Sequence, residues 1–152
     1  MSARLNYAQI APDLFKKYAG FGAGVRQASS IEATIVHLVD IRASQLNGCA
    51  FCLDMHVKEA KIHGERELRL YHTSIWRESP LFSARERAAL EWTEALTQLS
   101  PHGVSDAVYA QVSAEFSEKE LVELTFLVMA INGWNRINIA FRGEPGSYDK
   151  MM

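Results

Sequence analysis

The clearest periodic signal runs from Ile31 to Leu46, where Ile31, Ile35, Leu38, Val39 and Leu46 recur at the spacing of one helical face before the turn dipeptide Asn47-Gly48. A second helix, Cys49 to His63, follows at once, and Gly64 stands where a left-handed cap would end it. The most apolar stretch belongs to a helix over Glu118 to about Phe141. Between Leu124 and Ile131 it is apolar nearly all round, which predicts a place in the centre of the core. Pro12 followed by Asp13 opens an earlier helix, because proline suits the first turn and a carboxylate complements the dipole there. Its end is left open by Gly20, Gly22 and Gly24. Shorter helices are predicted over Glu65 to Trp76, Ser83 to Leu99 and Asp106 to Phe116, with Pro80, Pro101 and Gly103 between them. Gly143, Pro145 and Gly146 then release a polar tail.

Three Ser-x-x-Glu sequences, Ser29 with Glu32, Ser83 with Glu86 and Ser117 with Glu120, read as capping boxes. No stretch alternates with period two and no internal repeat is present. The expectation is an all-α fold, a bundle of about six or seven helices, in a single domain over residues 1–152.

Composition narrows the function classes. Sixteen basic against eighteen acidic side chains leave a net charge of −2, without the basic excess that a nucleic-acid partner requires. The longest uncharged run in the most apolar region, Leu124 to Asn135, has twelve residues, against the ~20 that span a bilayer. The first twelve residues lack the apolar core of a secretory signal, so no membrane association and a cytoplasmic location are expected.

The two cysteines, Cys49 and Cys52, follow the Asn47-Gly48 turn and fall in the first turn of the predicted helix. Unpaired N–H groups and the positive end of the dipole stabilise a thiolate there, lowering a thiol pKa from ~8.5 toward roughly 3.5 to 7.5. The spacing puts both sulfurs on one face, close enough to form a disulfide. His56, four residues beyond Cys52, can exchange a proton with that thiol. In an antiparallel hairpin about residues 47 and 48, His37 and His56 lie roughly 16 and 12 Å from the turn at 1.5 Å per residue. His37 is therefore expected to face His56 and relay its proton. Cys49, Cys52, His56 and His37 are the candidate catalytic set, with no cofactor or resident metal required.

The same four side chains could instead hold a structural zinc ion, making the protein a zinc-stabilised, non-catalytic helical oligomer. A buried, inert cysteine pair is the other alternative. His63 lies about 21 Å along the helix from Cys49 and is expected outside any such site. Leu53 occupies the place of the histidine that c-type haem attachment needs. Elsewhere, Gly20-Phe21-Gly22-Ala23-Gly24 lacks a phosphate-binding fingerprint and a preceding strand. His72 and His102 are expected to face solvent, Trp76, Trp92 and Trp134 to serve the core or a subunit interface, and Glu91 and Glu94 to lie on a solvated face. Asn132, Asn135 and Asn138 interrupt the most apolar helix and call for buried polar partners.

The segment Ser44-Gln45-Leu46-Asn47-Gly48-Cys49-Ala50-Phe51-Cys52-Leu53-Asp54-Met55-His56 resembles the core motif of the alkylhydroperoxidase D-like (AhpD-like) family, within the carboxymuconolactone decarboxylase superfamily. Ala130-Ile131-Asn132-Gly133-Trp134-Asn135-Arg136 is similar to that family's C-terminal helix. The resemblance implies an all-helical trimer or hexamer whose Cys49 and Cys52 reduce hydroperoxides, with His56 transferring protons and a dithiol or lipoyl-type donor restoring the thiols. Either cysteine could attack first. Cys52 is nearer His56, and Cys49 is nearer the helix start. The family motif usually has a glutamate twelve residues before its first cysteine, and here that place holds His37. An imidazole can relay a proton but cannot supply the negative charge that keeps His56 protonated. A lactone decarboxylase of the same superfamily is a further alternative, although those lyases do not depend on a cysteine pair.

Overall fold

The two stretches with the most continuous apolar patterning lie innermost, and the other helices are arranged around them. The computed structural model describes residues 2–149. Among these residues the chain forms α1 (Tyr7–Ile10), α2 (Pro12–Ala28), α3 (Ala33–Asn47), α4 (Ala50–Ile62), α5 (Glu67–His72), α6 (Ala84–Thr97), α7 (Asp106–Ser113) and α8 (Glu118–Phe141), with a 3₁₀ segment at Thr73–Glu78 and no strand. The fold is all-α. The short α1 adds one helix to the expected number, and the helix expected over Glu65 to Trp76 is divided between α5 and the 3₁₀ segment.

Helix α3 packs against α4, α6 and α8, so its apolar positions are spent in three directions. Ile35 and Val39 join Ala89, Trp92, Leu124 and Ile131 in the largest cluster. Leu38 meets Trp76, Phe82 and Leu90. Ile41 meets Ala60 and Leu70, tying α3 to α4 and α5. Truncating Leu38 or Leu124, both fully buried, to alanine should cost about 2 to 5 kcal/mol.

The boxes at Ser83 with Glu86 and Ser117 with Glu120 form as expected. The third does not. Ser29 ends α2 and its Oγ accepts from the Ile31 N–H, while Glu32 precedes α3 without a side-chain cap and pairs with Arg85. Helix α2 continues through its three glycines. A Cβ on Gly22 would come within 3.3 Å of the Trp134 indole nitrogen, so this glycine permits the close approach of α2 to α8.

The asparagines of α8 form the polar tie that fixes the α3–α4 turn. The Asn47 amide donates to Asn132 Oδ1 at 3.0 Å and to Asn135 Oδ1 at 2.8 Å. Asn135 donates in turn to Ser44 Oγ, and Asn132 to Thr97 Oγ1. In a buried setting such paired amides are strongly placed, since an unpaired one costs about 1 to 3 kcal/mol. The residues after α8 do not leave the surface as a free tail. The Gly146 N–H donates to Asp54, Asp149 pairs with Lys58, and Tyr148 packs edge-on against Phe51. The segment lies along α4.

Two further expectations are corrected. Glu94 is not on a solvated face, because its carboxylate accepts from the Trp76 indole and pairs with Arg42 and Arg77. His72 is half-buried with Nδ1 3.0 Å from Ser79 Oγ, whereas His102 is exposed.

Candidate active site

Gly48 adopts a left-handed conformation, φ 71° and ψ 31°, and closes α3 with its N–H and that of Cys49 turned back to Gln45 and Ser44. That reversal sends the chain into α4. Cys49 is the N-cap residue, with its Sγ accepting the Cys52 N–H at 3.3 Å, and Cys52 is the third residue of the helix. The two form a disulfide with their Cα atoms 5.4 Å apart. Both are almost fully buried. Cys52 nevertheless lines a cavity of about 850 Å³ together with His56, Glu59, Asp40 and Trp134. Cys49 sits behind it, at the helix start.

One and two turns along α4 the chemistry changes from sulfur to charge. His56 Nδ1 lies 3.0 Å from Glu59 Oε2 and 3.6 Å from Asp40 Oδ2. Asp40 is buried on α3 and pairs with Arg26, which reaches over from α2. The hydrogen bond with His56, aided by the positive charge of Arg26, holds the Glu59 carboxyl down at about 2. The hydrogen bond of Nδ1 with Glu59, beside the charge of Asp40, fixes the orientation of the imidazole and directs its other nitrogen elsewhere.

His37 does not meet His56 as expected. Its Nε2 lies 3.0 Å from His63 Nδ1, with the rings stacked 5.0 Å apart. Burial lowers its pKa, partly opposed by the charges of Glu59 and Asp40. The four side chains considered for zinc are therefore not brought together around one point, since His37 is engaged by His63 and the cysteines by each other. Asp40, His56 and Glu59 do place three ligand atoms within 4.8 Å of one another. Arg26 already supplies the opposing charge at Asp40.

The cavity has an apolar wall and a charged one. Phe15 and Ala19 of α2 and Leu127, Ile131 and Trp134 of α8 face the stripe of α4 that carries Cys52, His56 and Glu59. Residues 3 to 8 and the segment after α8 form its rim.

Residues 12–95, from the start of α2 to near the end of α6, match the sequence profile of the carboxymuconolactone decarboxylase family. The chain belongs to the carboxymuconolactone decarboxylase family. Its relatives include YdfG of Bacillus subtilis, an uncharacterised protein 40% identical over 97% of this chain and 99% of its own length. The crystal structure of an Agrobacterium tumefaciens protein of unknown function, provisionally named antioxidant defence protein AhpD, matches with a TM-score of 0.90 at 40% identity, over 94% of this chain and 97% of that one. The debrominase Bmp8, crystallised with 2,3,4-tribromopyrrole, shares the fold at 17% identity, with a TM-score of 0.82 over 94% of this chain and 76% of that one. These likenesses place the protein with the AhpD-like members of the carboxymuconolactone decarboxylase family.

Three members of the charged cluster, Asp40, Glu59 and Arg26, were not among the residues expected from sequence, and neither was the pairing of His63. A signal for one existed. Asp40 is eight residues before Gly48 and His56 eight after it, so the two stand at equal depth in the hairpin.

Proposed function

We propose that the protein is a thiol-dependent peroxidase that reduces an organic hydroperoxide with the Cys49–Cys52 pair. The observation that carries this reading is that Cys52 and His56 open on one cavity while Cys49 lies disulfide-bonded behind Cys52. The Cys52 thiolate attacks the distal peroxide oxygen. An S–O bond forms, the O–O bond breaks, and the alkoxide takes a proton from the free nitrogen of His56 to leave as an alcohol. Cys49 then displaces the oxygen of the Cys52 sulfenic acid as water, giving the disulfide. A dithiol donor, of lipoyl type or similar, attacks the cavity-facing Cys52 Sγ and expels Cys49, and its second thiol then closes the donor's own disulfide and releases Cys52. The leaving thiolate is stabilised by the Cys52 N–H and the helix start, which favours departure.

Asp40 and Glu59 take the part that the family glutamate would play, holding Nδ1 of His56 and the positive charge it acquires. We place the reaction in the reducing cytoplasm, where a dithiol can recycle the pair. Exposed apolar side chains on α2 and α8, among them Leu14, Phe126 and Met129, support a homo-oligomer. The test is peroxide-dependent oxidation of a dithiol by the purified protein. Cys52→Ser and Cys49→Ser should each reduce turnover to background, and activity surviving both changes would reject the scheme.

A further inference from the structure

When a thiol gives up its proton inside a cavity, a proton has to be led away, and one has to be led back to the departing alkoxide. Bulk water reaches the reacting atoms only past the cavity rim. Cys52, His56, Glu59 and His63 recur at four-, three- and four-residue steps along α4, forming one stripe, and all four line the cavity. The stripe runs from the buried disulfide to His63, which is exposed just past the last residue of α4. The outermost member can exchange protons with solvent, and the innermost one does the sulfur chemistry.

His63 is also held. His37 is 4% exposed, and its Nδ1 has no hydrogen-bond partner among the described residues. Its one side-chain hydrogen bond there is the 3.0 Å contact from Nε2 to His63 Nδ1. A histidine needed only for packing could be replaced by an apolar ring without leaving a buried nitrogen unpaired. With Nδ1 of His63 fixed, its Nε2 is the nitrogen free to exchange. The groups around the pair are Glu59 on α4, Asp40 on α3 and Arg26 on α2. At 3.0 Å a single hydrogen lies between the two rings, donated by one nitrogen and accepted by the other.

We propose that His63, positioned by His37, carries protons between solvent and the Glu59–His56 pair, a role that rests on the peroxidase reading for its effect on turnover. In each inward transfer an N–H bond forms at His63 as an O–H bond of a hydronium ion breaks. When Cys52 ionises, its proton enters His56 at Nε2 as the Nδ1 proton leaves by way of Glu59 Oε2, and the path reverses when Nε2 gives its proton to the alkoxide, so Nδ1 is emptied before it is refilled. No electrons change hands in these steps. His37 is a positioning residue: it orients His63 and touches no reacting atom.

The experiment compares wild type, His63→Ala and His37→Phe with tert-butyl hydroperoxide as oxidant and dithiothreitol as donor. His63→Ala should lower kcat roughly ten-fold, less than the ~10²-fold loss of a group that transfers the proton directly. KM should be unchanged and millimolar imidazole should restore the rate, whereas the melting temperature should fall in His63→Ala because buried His37 loses its hydrogen bond. An unaltered kcat and pH profile, or a loss that imidazole does not relieve, would overturn the proposal. Failure of the wild type to turn over would reject the peroxidase reading instead. In that case ring-nitrogen NMR of the wild type decides, with one shared titration for His37 and His63 that becomes a shifted single titration of His63 in His37→Phe as the supporting result. Two independent midpoints would overturn it.

Discussion

The α3–α4 hairpin is built in opposite ways at its two ends. At the turn, the residues that place the sulfurs are held by neutral groups: Asn47, Asn132, Asn135 and Ser44 exchange amide and hydroxyl hydrogen bonds. Farther from the turn, Asp40, His56, Glu59, His37 and His63 gather with Arg26 around the same cavity wall. Neutral hydrogen bonds do not change with pH, so the turn keeps its shape whatever the protonation state beyond it. Charged and titratable groups do change, which suits a region whose task is to move protons. The contrast separates electron chemistry from proton chemistry by one to three turns of a single helix.

The strongest way to break this separation is Asp40→Asn. Removing one of the carboxylates that face Nδ1 of His56 should cost roughly 10²-fold in peroxide turnover. It should also leave Arg26 without its partner and cost about 1 to 3 kcal/mol in stability. Alkylation of the reduced cysteines should change little, since their placement comes from the other end. Steady-state kinetics and thiol labelling on the same preparation check both halves.

Asn135→Ala attacks the neutral end. It strips a fully buried side chain of its bonds with Asn47 and Ser44, and a loss of about 1 to 3 kcal/mol in urea unfolding is expected. The pH dependence of whatever activity remains should match that of the wild type. A displaced pH profile would show that the two ends are coupled.

The smallest effect is the acid limb of stability. Glu59 is held near 2, below its ordinary 4.5, so the stability it contributes is complete above pH 4.5 and is lost as pH falls from there toward 2. His37 is lowered from 6.5 by burial, so the folded state resists taking its proton, and stability declines as pH falls below 6.5. Thermal melts should therefore fall in two stages on acidification. Glu59→Gln should remove the part below pH 4.5 and deepen the upper part, because the Glu59 charge opposes the lowering of His37.

Much of this arrangement was legible in the residue order. Serine and glutamate three apart located the starts of α6 and α8 to within a residue, because a capping box satisfies two backbone donors with groups adjacent in sequence. The same pattern failed at Ser29, where Arg85, distant in the chain, takes the Glu32 carboxylate. Cys49 and Cys52 were placed by a turn signal and a spacing, both local. His37 was not, because depth from the turn leaves two candidate partners. At 1.5 Å per residue it stands about 4 Å deeper than His56 and about 6 Å short of His63, and the choice depends on how the helices cross and rotate. Arg26 left no signal near the motif, since it arrives from α2. The tail gave turn residues but no sign that Asp54 and Lys58 would hold it.

The cross-link joins residues only three positions apart. A loop so short restricts the denatured chain by only about 2 kcal/mol in the chain-entropy account. Opening it should therefore lower the melting temperature by about 4 to 8 °C in reducing buffer. The protein can change its valence bonds on every cycle because the fold is stitched elsewhere and loses only that margin when the sulfurs part.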